Sequence, residues 1–326
     1  MAKIITEKIL NFEVTEGKKK QRIDLYLANS IEHSTRSRIQ KLIKAGFVEV
    51  NGKPVKANYL IVPNDIIKVT IPVSPRPEET EAEDIPIDIV YEDEYLLIVN
   101  KPAGMVVHPA LGNYTGTLVN ALLNYTNNLS DLNEPGRPGI VHRLDKETSG
   151  LLLVAKDVWT HAQLAKQFAE HTTEREYWAV CWGLFKESTG EIIGNITRSK
   201  KDRKIFTVDD TEGKHAHTYY EVIEEFEFCS LVKLKLKTGR THQIRVHMAY
   251  KNHPVFGDPT YGGRRIVYGT ELAKMRSRVN NLLKIMERQA LHAKTIGFIH
   301  PHTKKRVFVE SELPEDINNL IENLRQ

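Results

Sequence analysis

What most limits how this chain can fold is a reversal of charge along it. From Lys18 to Lys56 ten lysines and arginines face three acids, whereas from Pro75 to Glu94 nine acids accompany Arg76 alone. Between them, Ser74-Pro75-Arg76-Pro77-Glu78-Glu79-Thr80-Glu81-Ala82-Glu83 has no apolar period, carries two prolines and repels itself, so an extended conformation is expected. The chain therefore divides into a small basic module at 18–73, an acidic linker at 74–86 and a larger domain at 87–326. A length of 326 residues, 40% of them hydrophobic, supports about two cores. The net charge of +4 is what remains of 46 basic and 42 acidic residues, and by itself it selects no partner.

Composition narrows the class further. Cys181 and Cys229 are the only cysteines, each inside an apolar segment, which excludes a disulfide scaffold, argues against a cysteine zinc site and fits a reducing, cytoplasmic setting. Apolar runs such as Leu151 to Ala155 are far short of the roughly 18 residues a membrane helix needs. The first residues lack a charged start followed by an apolar core, so neither a signal peptide nor a membrane span is expected.

In the basic module, Ser34-Thr35 can cap a helix that runs through Arg36, Arg38, Ile39, Lys41, Leu42, Ile43 and Lys44 and stops at Gly46. At 100° per residue Ile39, Leu42 and Ile43 share one face, while Arg38, Lys41 and Lys44 lie together on another. Asn51-Gly52, between two short apolar runs, signals a two-residue hairpin. A basic helix beside a small sheet has two readings. It is a solvated charged face, or it binds RNA through phosphate contacts that release counterions.

The larger domain has strand-like runs at Ile87 to Tyr91, Tyr95 to Val99, Leu151 to Ala155, Tyr177 to Val180 and Leu231 to Leu236, with helical patterns between them. This is an α+β pattern without a fixed repeat. Its most unusual stretch is Gly139-Ile140-Val141-His142-Arg143-Leu144-Asp145-Lys146-Glu147-Thr148-Ser149-Gly150, polar and turn-forming, running straight into the apolar strand. A carboxylate there would sit at the rim of the core on rigid backbone, so Asp145 is a candidate nucleophile or base. Residue types alone equally allow it to cap the turn through its side chain.

Other chemistries fare worse. His142, Asp145 and Ser149 include triad residue types, but Ser149 lacks the G-x-S-x-G elbow. His242 and His247, five apart, would be separated by about 140° on a helix and lie on opposite faces of a strand, a poor metal pair. Neither a G-x-x-x-x-G-K-[ST] loop nor a G-x-G-x-x-G turn occurs, so no nucleotide cofactor, organic cofactor or metal is expected.

Two resemblances sharpen this reading. Arg22-Ile23-Asp24-Leu25-Tyr26-Leu27, Ser37 to Gly46 and Val48-Glu49-Val50-Asn51-Gly52 together resemble the S4 RNA-binding domain. His142-Arg143-Leu144-Asp145-Lys146-Glu147-Thr148-Ser149-Gly150-Leu151-Leu152 resembles the catalytic motif of the RluA family of pseudouridine synthases. Asn100-Lys101-Pro102-Ala103-Gly104-Met105-Val106-Val107-His108-Pro109 is similar to the family's first motif, and Lys237-Thr238-Gly239-Arg240-Thr241-His242-Gln243-Ile244-Arg245-Val246-His247 to its third. With an S4 module in front, the likeness is greatest to the type that modifies large-subunit ribosomal RNA, the synthase D type.

The resemblance implies the pseudouridine synthase fold, a mixed and largely antiparallel sheet, and an isomerisation in which the N1–C1′ bond of uridine breaks and the base is rejoined through C5. It implies Asp145 as the essential carboxylate, by a nucleophilic or an elimination route, Arg245 as its salt-bridge partner and Tyr177 as the active-site tyrosine. Arg175, two residues before Tyr177, stands where the family commonly has lysine. Uridine inside structured RNA must be extruded at a cost of a few kcal/mol, and the resemblance gives Arg143 the task of filling the gap. Arg143 and His142 are thus expected to bind substrate, and Arg36, Arg38, Lys41 and Lys44 to bind RNA. Arg198, Lys200, Lys201, Arg203 and Lys204 suit a phosphate-contacting loop or a merely solvated one. The expected partner is ribosomal RNA or the large ribosomal subunit, met by a monomer. The rival readings are a non-catalytic RNA-binding ribosome assembly factor and an N-glycosidase using the same carboxylate.

Overall fold

The structure, a computed structural model, describes every residue except 1–5, 17–19, 32, 33, 35, 74–79, 111, 133–136, 201, 203, 204, 270 and 271. The chain forms two compact units, Met1–Pro77 and Glu78–Gln326.

The first unit contains β1 (Thr6–Glu13), α1 (Ile23–Ser30), α2 (Arg36–Lys44), β2 (Val48–Val50), β3 (Lys53–Pro54) and β4 (Ile66–Val73). Its sheet is antiparallel with order β1-β4-β2-β3. Ile39 and Ile43 are buried and Leu42 partly so, packing α2 beside Ile23, Leu27, Val48, Ile67 and Val69, while Arg36, Lys41 and Lys44 are exposed. The expected hairpin forms, with Asn51 and Gly52 at φ 50° and 76°, the two left-handed residues that a tight turn between twisted strands requires. The proposed cap Thr35 and the side chain of Arg38 lie outside the described residues. β1 lies before residue 18, where the sequence reading starts the module. It spans all of β4, from Thr6 opposite Val73 to Glu13 opposite Ile66, because β4 otherwise presents an unpaired edge.

The second unit contains β5 (Asp88–Glu92), β6 (Leu96–Lys101), α3 (Leu118–Tyr125), β7 (Ser149–Ala155), α4 (Val158–Ala169), β8 (Glu174–Trp182), β9 (Thr189–Arg198), β10 (Phe206–Asp209), β11 (Lys214–Glu225), β12 (Cys229–Leu236), α5 (Gln243–Tyr250), α6 (Ala273–Ile285), β13 (Leu291–Ile299), β14 (Arg306–Glu310) and α7 (Glu315–Arg325). One ten-stranded sheet runs β10-β9-β11-β12-β8-β13-β7-β6-β5, with β14 also on β13. Among these pairs only β13 with β7 is parallel, so the sheet is mixed and largely antiparallel, as the resemblance implies.

Part of the acidic stretch is not free. The backbone N–H of Glu83 donates to the Asn120 carbonyl, the Asn120 amide donates to the Glu81 carbonyl, and the Glu83 carboxylate accepts from the Gly116 N–H. Polar groups at the start of α3 thus fasten residues that self-repulsion alone would leave extended.

β7 reads as a continuous apolar run because both its faces are covered. Leu151, Leu153 and Ala155 pack with Leu164 of α4 and Ile296 and Phe298 of β13, whereas Leu152 and Val154 join the main core. β7 and β13 pair in register at His292–Ser149 and Ala293–Gly150. A Cβ on Gly150, whose φ is +113°, would meet the Ala293 carbonyl oxygen at 2.3 Å, so glycine is what lets these strands close. The loop carrying Asp145 ends at this junction.

Candidate active site

The loop before β7 is fixed by its backbone. Thr148 N–H bonds the Asp145 carbonyl at 3.1 Å, closing a turn through the main chain and leaving the Asp145 carboxylate out of it. Gly104 N–H and Lys101 Nζ both donate to the Lys146 carbonyl, at 2.9 and 3.2 Å, and Arg288 Nη1 donates to the Glu147 carbonyl at 3.0 Å. Leu144 is buried while its neighbour Arg143 is exposed. Lys101 is itself 0% exposed and also donates to the carbonyls of Pro102 and Met105. Burial, reinforced by Arg288, pushes its ammonium pKa down to about 7. Nothing in a lone lysine signals that role; the run Asn100 to Pro109 was legible as a motif only.

Arg245 comes from α5, whose entry is nailed down by Gln243. The Gln243 carbonyl oxygen accepts from Thr238 Oγ1 at 2.8 Å and Arg240 N–H at 2.9 Å, and its amide donates to the His217 carbonyl and to Thr218 Oγ1 of β11. His242, just ahead, takes a left-handed conformation at φ 55°. The helix start thereby aims Arg245 inward.

The guanidinium joins two carboxylates. Nε and Nη2 fork onto Asp258 at 2.7 and 3.0 Å, and Nη1 donates to Asp145 Oδ2 at 3.1 Å. Asp258 is fully buried and also accepts from the backbone N–H groups of Thr260 and Tyr261. Burial of Arg245 disfavours its charge, but the hydrogen bonds and attraction of Asp258, with Asp145 adding to them, hold its pKa above the ordinary value. The Tyr261 ring lies 5.0 Å from the Arg245 guanidinium carbon, and its hydroxyl is hydrogen-bonded to His242 Nδ1 at 2.8 Å. His242 Nε2 is 3.8 Å from Asp145 Oδ1, and burial lowers its pKa against the pull of Asp145, so it is neutral at neutral pH. The sequence carries no signal for Asp258 or Tyr261 at the site, and it offers His242 as half of a poor metal pair and as a member of the third motif.

Asp145, His242 and Arg245 line a cleft of about 460 Å³. Tyr177 of β8 lines it, 7% exposed, with its phenol pKa raised by burial. Arg143, Arg175, Arg240 and Phe168 line it as well. His142 stands in the wall, but Nε2 accepts the Leu153 N–H at 2.9 Å and its ring stacks on Phe168, with centroids 4.6 Å apart. Burial lowers its pKa to about 3, so it is a neutral part of the wall. Of the basic residues expected to meet RNA elsewhere, Arg36 is tied to Asp24 through Nε at 3.0 Å. Arg198 lies 5.0 Å from the Phe206 ring centroid, Lys200 pairs with Glu212 at 3.2 Å, and Lys201, Arg203 and Lys204 lie outside the described residues. Among the described residues there is no group of three or more potential metal ligands, and no helix long and apolar enough to cross a membrane.

A carboxylate held by an arginine thus lines the same cleft as a tyrosine. Comparison with known proteins gives this a class. Residues 95–250 match the RNA pseudouridylate synthase model and residues 21–67 the S4 domain. The chain is 46% identical to an uncharacterized RNA pseudouridine synthase of Bacillus subtilis, over 97% of this chain and 98% of that one. It is 44% identical to ribosomal large subunit pseudouridine synthase D of Zymomonas mobilis, over 93% of each. The human RNA pseudouridylate synthase domain containing 4 shares its fold, with TM-score 0.56 and 24% identity over 73% of this chain and 93% of that chain. The chain belongs to the RNA pseudouridine synthase family, and it is an RNA pseudouridine synthase carrying an S4 domain.

Proposed function

We propose that the cleft converts specific uridines of large-subunit ribosomal RNA to pseudouridine in the cytoplasm, with Asp145 as the essential carboxylate, acting as nucleophile or assisting glycosidic cleavage. The observation that carries this is the Asp145–Arg245 ion pair at 3.1 Å in the same cleft as Tyr177. Arg245 holds the carboxylate in place through its hydrogen bond, and Tyr177 offers a ring against which an extruded uracil stacks. Arg143, exposed at the mouth, fills the space the nucleotide leaves and meets phosphate. The choice of large-subunit RNA follows the names of the relatives that share both parts of the chain. Exposed Lys41 and Lys44 on α2 supply phosphate contacts.

Incubation with ribosomal RNA carrying tritium on uracil C5, followed by mass spectrometry of the nucleosides, tests the reading. Tritium release with a product of unchanged mass is expected. Binding without release would instead mark an assembly factor, and free uracil with abasic RNA an N-glycosidase.

A further inference from the structure

Among the described residues, the wall of the cleft holds a half-buried cation that no carboxylate answers. Arg245 is bound by Asp258 and Asp145, and Arg240 Nε donates to the His215 carbonyl. Arg175, half-buried in the wall, has no hydrogen bond or carboxylate partner among the described residues, and its Nε is fully enclosed without an acceptor. Burial lowers its pKa, although a guanidinium remains charged. It is held by shape. Its guanidinium carbon lies 5.3 Å from the Phe168 ring centroid, and a Cβ on Gly239 would sit 3.0 Å from Nη1. A desolvated, pre-positioned cation without a counter-charge is poised for charge that arrives or develops with substrate.

Its place indicates which charge. Arg175 and Tyr177 are two apart on β8 and so face the same side of the sheet. The Tyr177 phenol interacts electrostatically with both the Arg175 guanidinium and the Asp145 carboxylate. Arg175, Tyr177 and Asp145 line the one cleft, so a pyrimidine stacked on Tyr177 with its sugar at Asp145 shares that cavity with the Arg175 guanidinium. Phosphate would lie nearer the mouth, where Arg143 is exposed.

We propose that Arg175 is a further catalytic residue, whose guanidinium binds a carbonyl oxygen of the extruded uracil and holds the negative charge the ring acquires as the N1–C1′ bond breaks. This rests on the isomerase reading above. The electron pair of the bond leaves with the ring and spreads onto its carbonyl oxygens. The ring turns, C5 donates a pair to C1′, the C5 proton passes to water and N1 takes one up, so atoms and charge balance.

The test is single-turnover tritium release at saturating full-length enzyme, with RNA affinity measured across a salt series. Arg175→Gln should slow release about 100-fold, the scale of losing one preorganised charge-stabilising donor. RNA affinity and its salt dependence should match wild type, and Arg175→Lys or added guanidinium ion should restore part of the rate. Wild-type release rates in Arg175→Gln would overturn the inference and leave the isomerase reading standing. So would weaker binding with a shallower salt slope and an unchanged rate, the mark of a phosphate anchor. A slow variant that melts far lower and is restored by neither lysine nor guanidinium would show a packing role and overturn it too. Absence of release from the wild-type enzyme would remove both the reading and the inference.

Discussion

The two units each place arginine against a buried aspartate, and in the second the same arginine also reaches a carboxylate open to the cleft. In the first, Asp24 is 0% exposed and, among the described residues, accepts four hydrogen bonds, two from Arg22 and one each from Arg36 and Gln40. Asp258 in the second unit is equally buried and also accepts four, two from Arg245 and two from backbone N–H groups. Among the described residues the Asp145 carboxylate accepts one, from Arg245, and its side chain is 20% exposed. A buried carboxylate that accepts four hydrogen bonds is a fastening; one that shares an arginine with such a fastening keeps its reach. Asp258 thus fixes Arg245 so that Arg245 can present Asp145.

That contrast can be broken at three strengths. Asp258→Asn should have the largest effect, because it frees a buried arginine to swing. A loss of ~3–5 kcal/mol in second-unit stability by denaturant unfolding is expected, with turnover down about 100-fold. An unchanged rate would mean that Arg245 needs no anchor. Asp24→Asn should cost less, ~2–3 kcal/mol in the first unit, since Arg22 and Arg36 are partly solvated. The same pair predicts a pH effect of definite sign. Burial alone would raise the Asp24 pKa, but hydrogen bonds from Arg22, Gln40 and Arg36 outweigh it and hold the pKa below the usual carboxylate range. Its contribution is therefore complete above the unfolded pKa of about 4 and is lost as pH falls below that. Acid melts of the wild type should show this loss, and melts of Asp24→Asn should not. Smallest is Lys44→Ala on the exposed side of α2. RNA affinity should fall a few-fold, and the slope of log affinity against log salt should flatten by about 0.7–0.9 if Lys44 meets one phosphate.

Much of this was legible in the sequence because it depends on local rules. The charge reversal, the Asn51-Gly52 turn, the packing side of α2 and the doubly buried run of β7 each follow from residues adjacent in the chain. The pairing of Asp145 with Arg245, 100 residues apart, came through motif resemblance, since residue types alone left Asp145 free to cap its turn. The partners that give the site its character stayed hidden. Asp258-Pro259 reads as a turn signal, and nothing nearby says that its carboxylate is sealed under Arg245. The strand β1 was missed because its value lies in the distant β4 edge it covers. In the same way β9 and β11, with glycine, histidine and glutamate in their alternation, become strands through mutual pairing over Thr189 to Ile196.

The proposed role of Asp145 requires it to be, of the three carboxylates, the one left open for chemistry. The most direct measurement is single-turnover tritium release by Asp145→Asn, run beside thermal melting and RNA binding of the same protein. Release should fall more than about 1,000-fold, with a melting temperature and RNA affinity close to those of the wild type. Release at the wild-type rate, or a collapse of stability like that expected for Asp258→Asn, would contradict it.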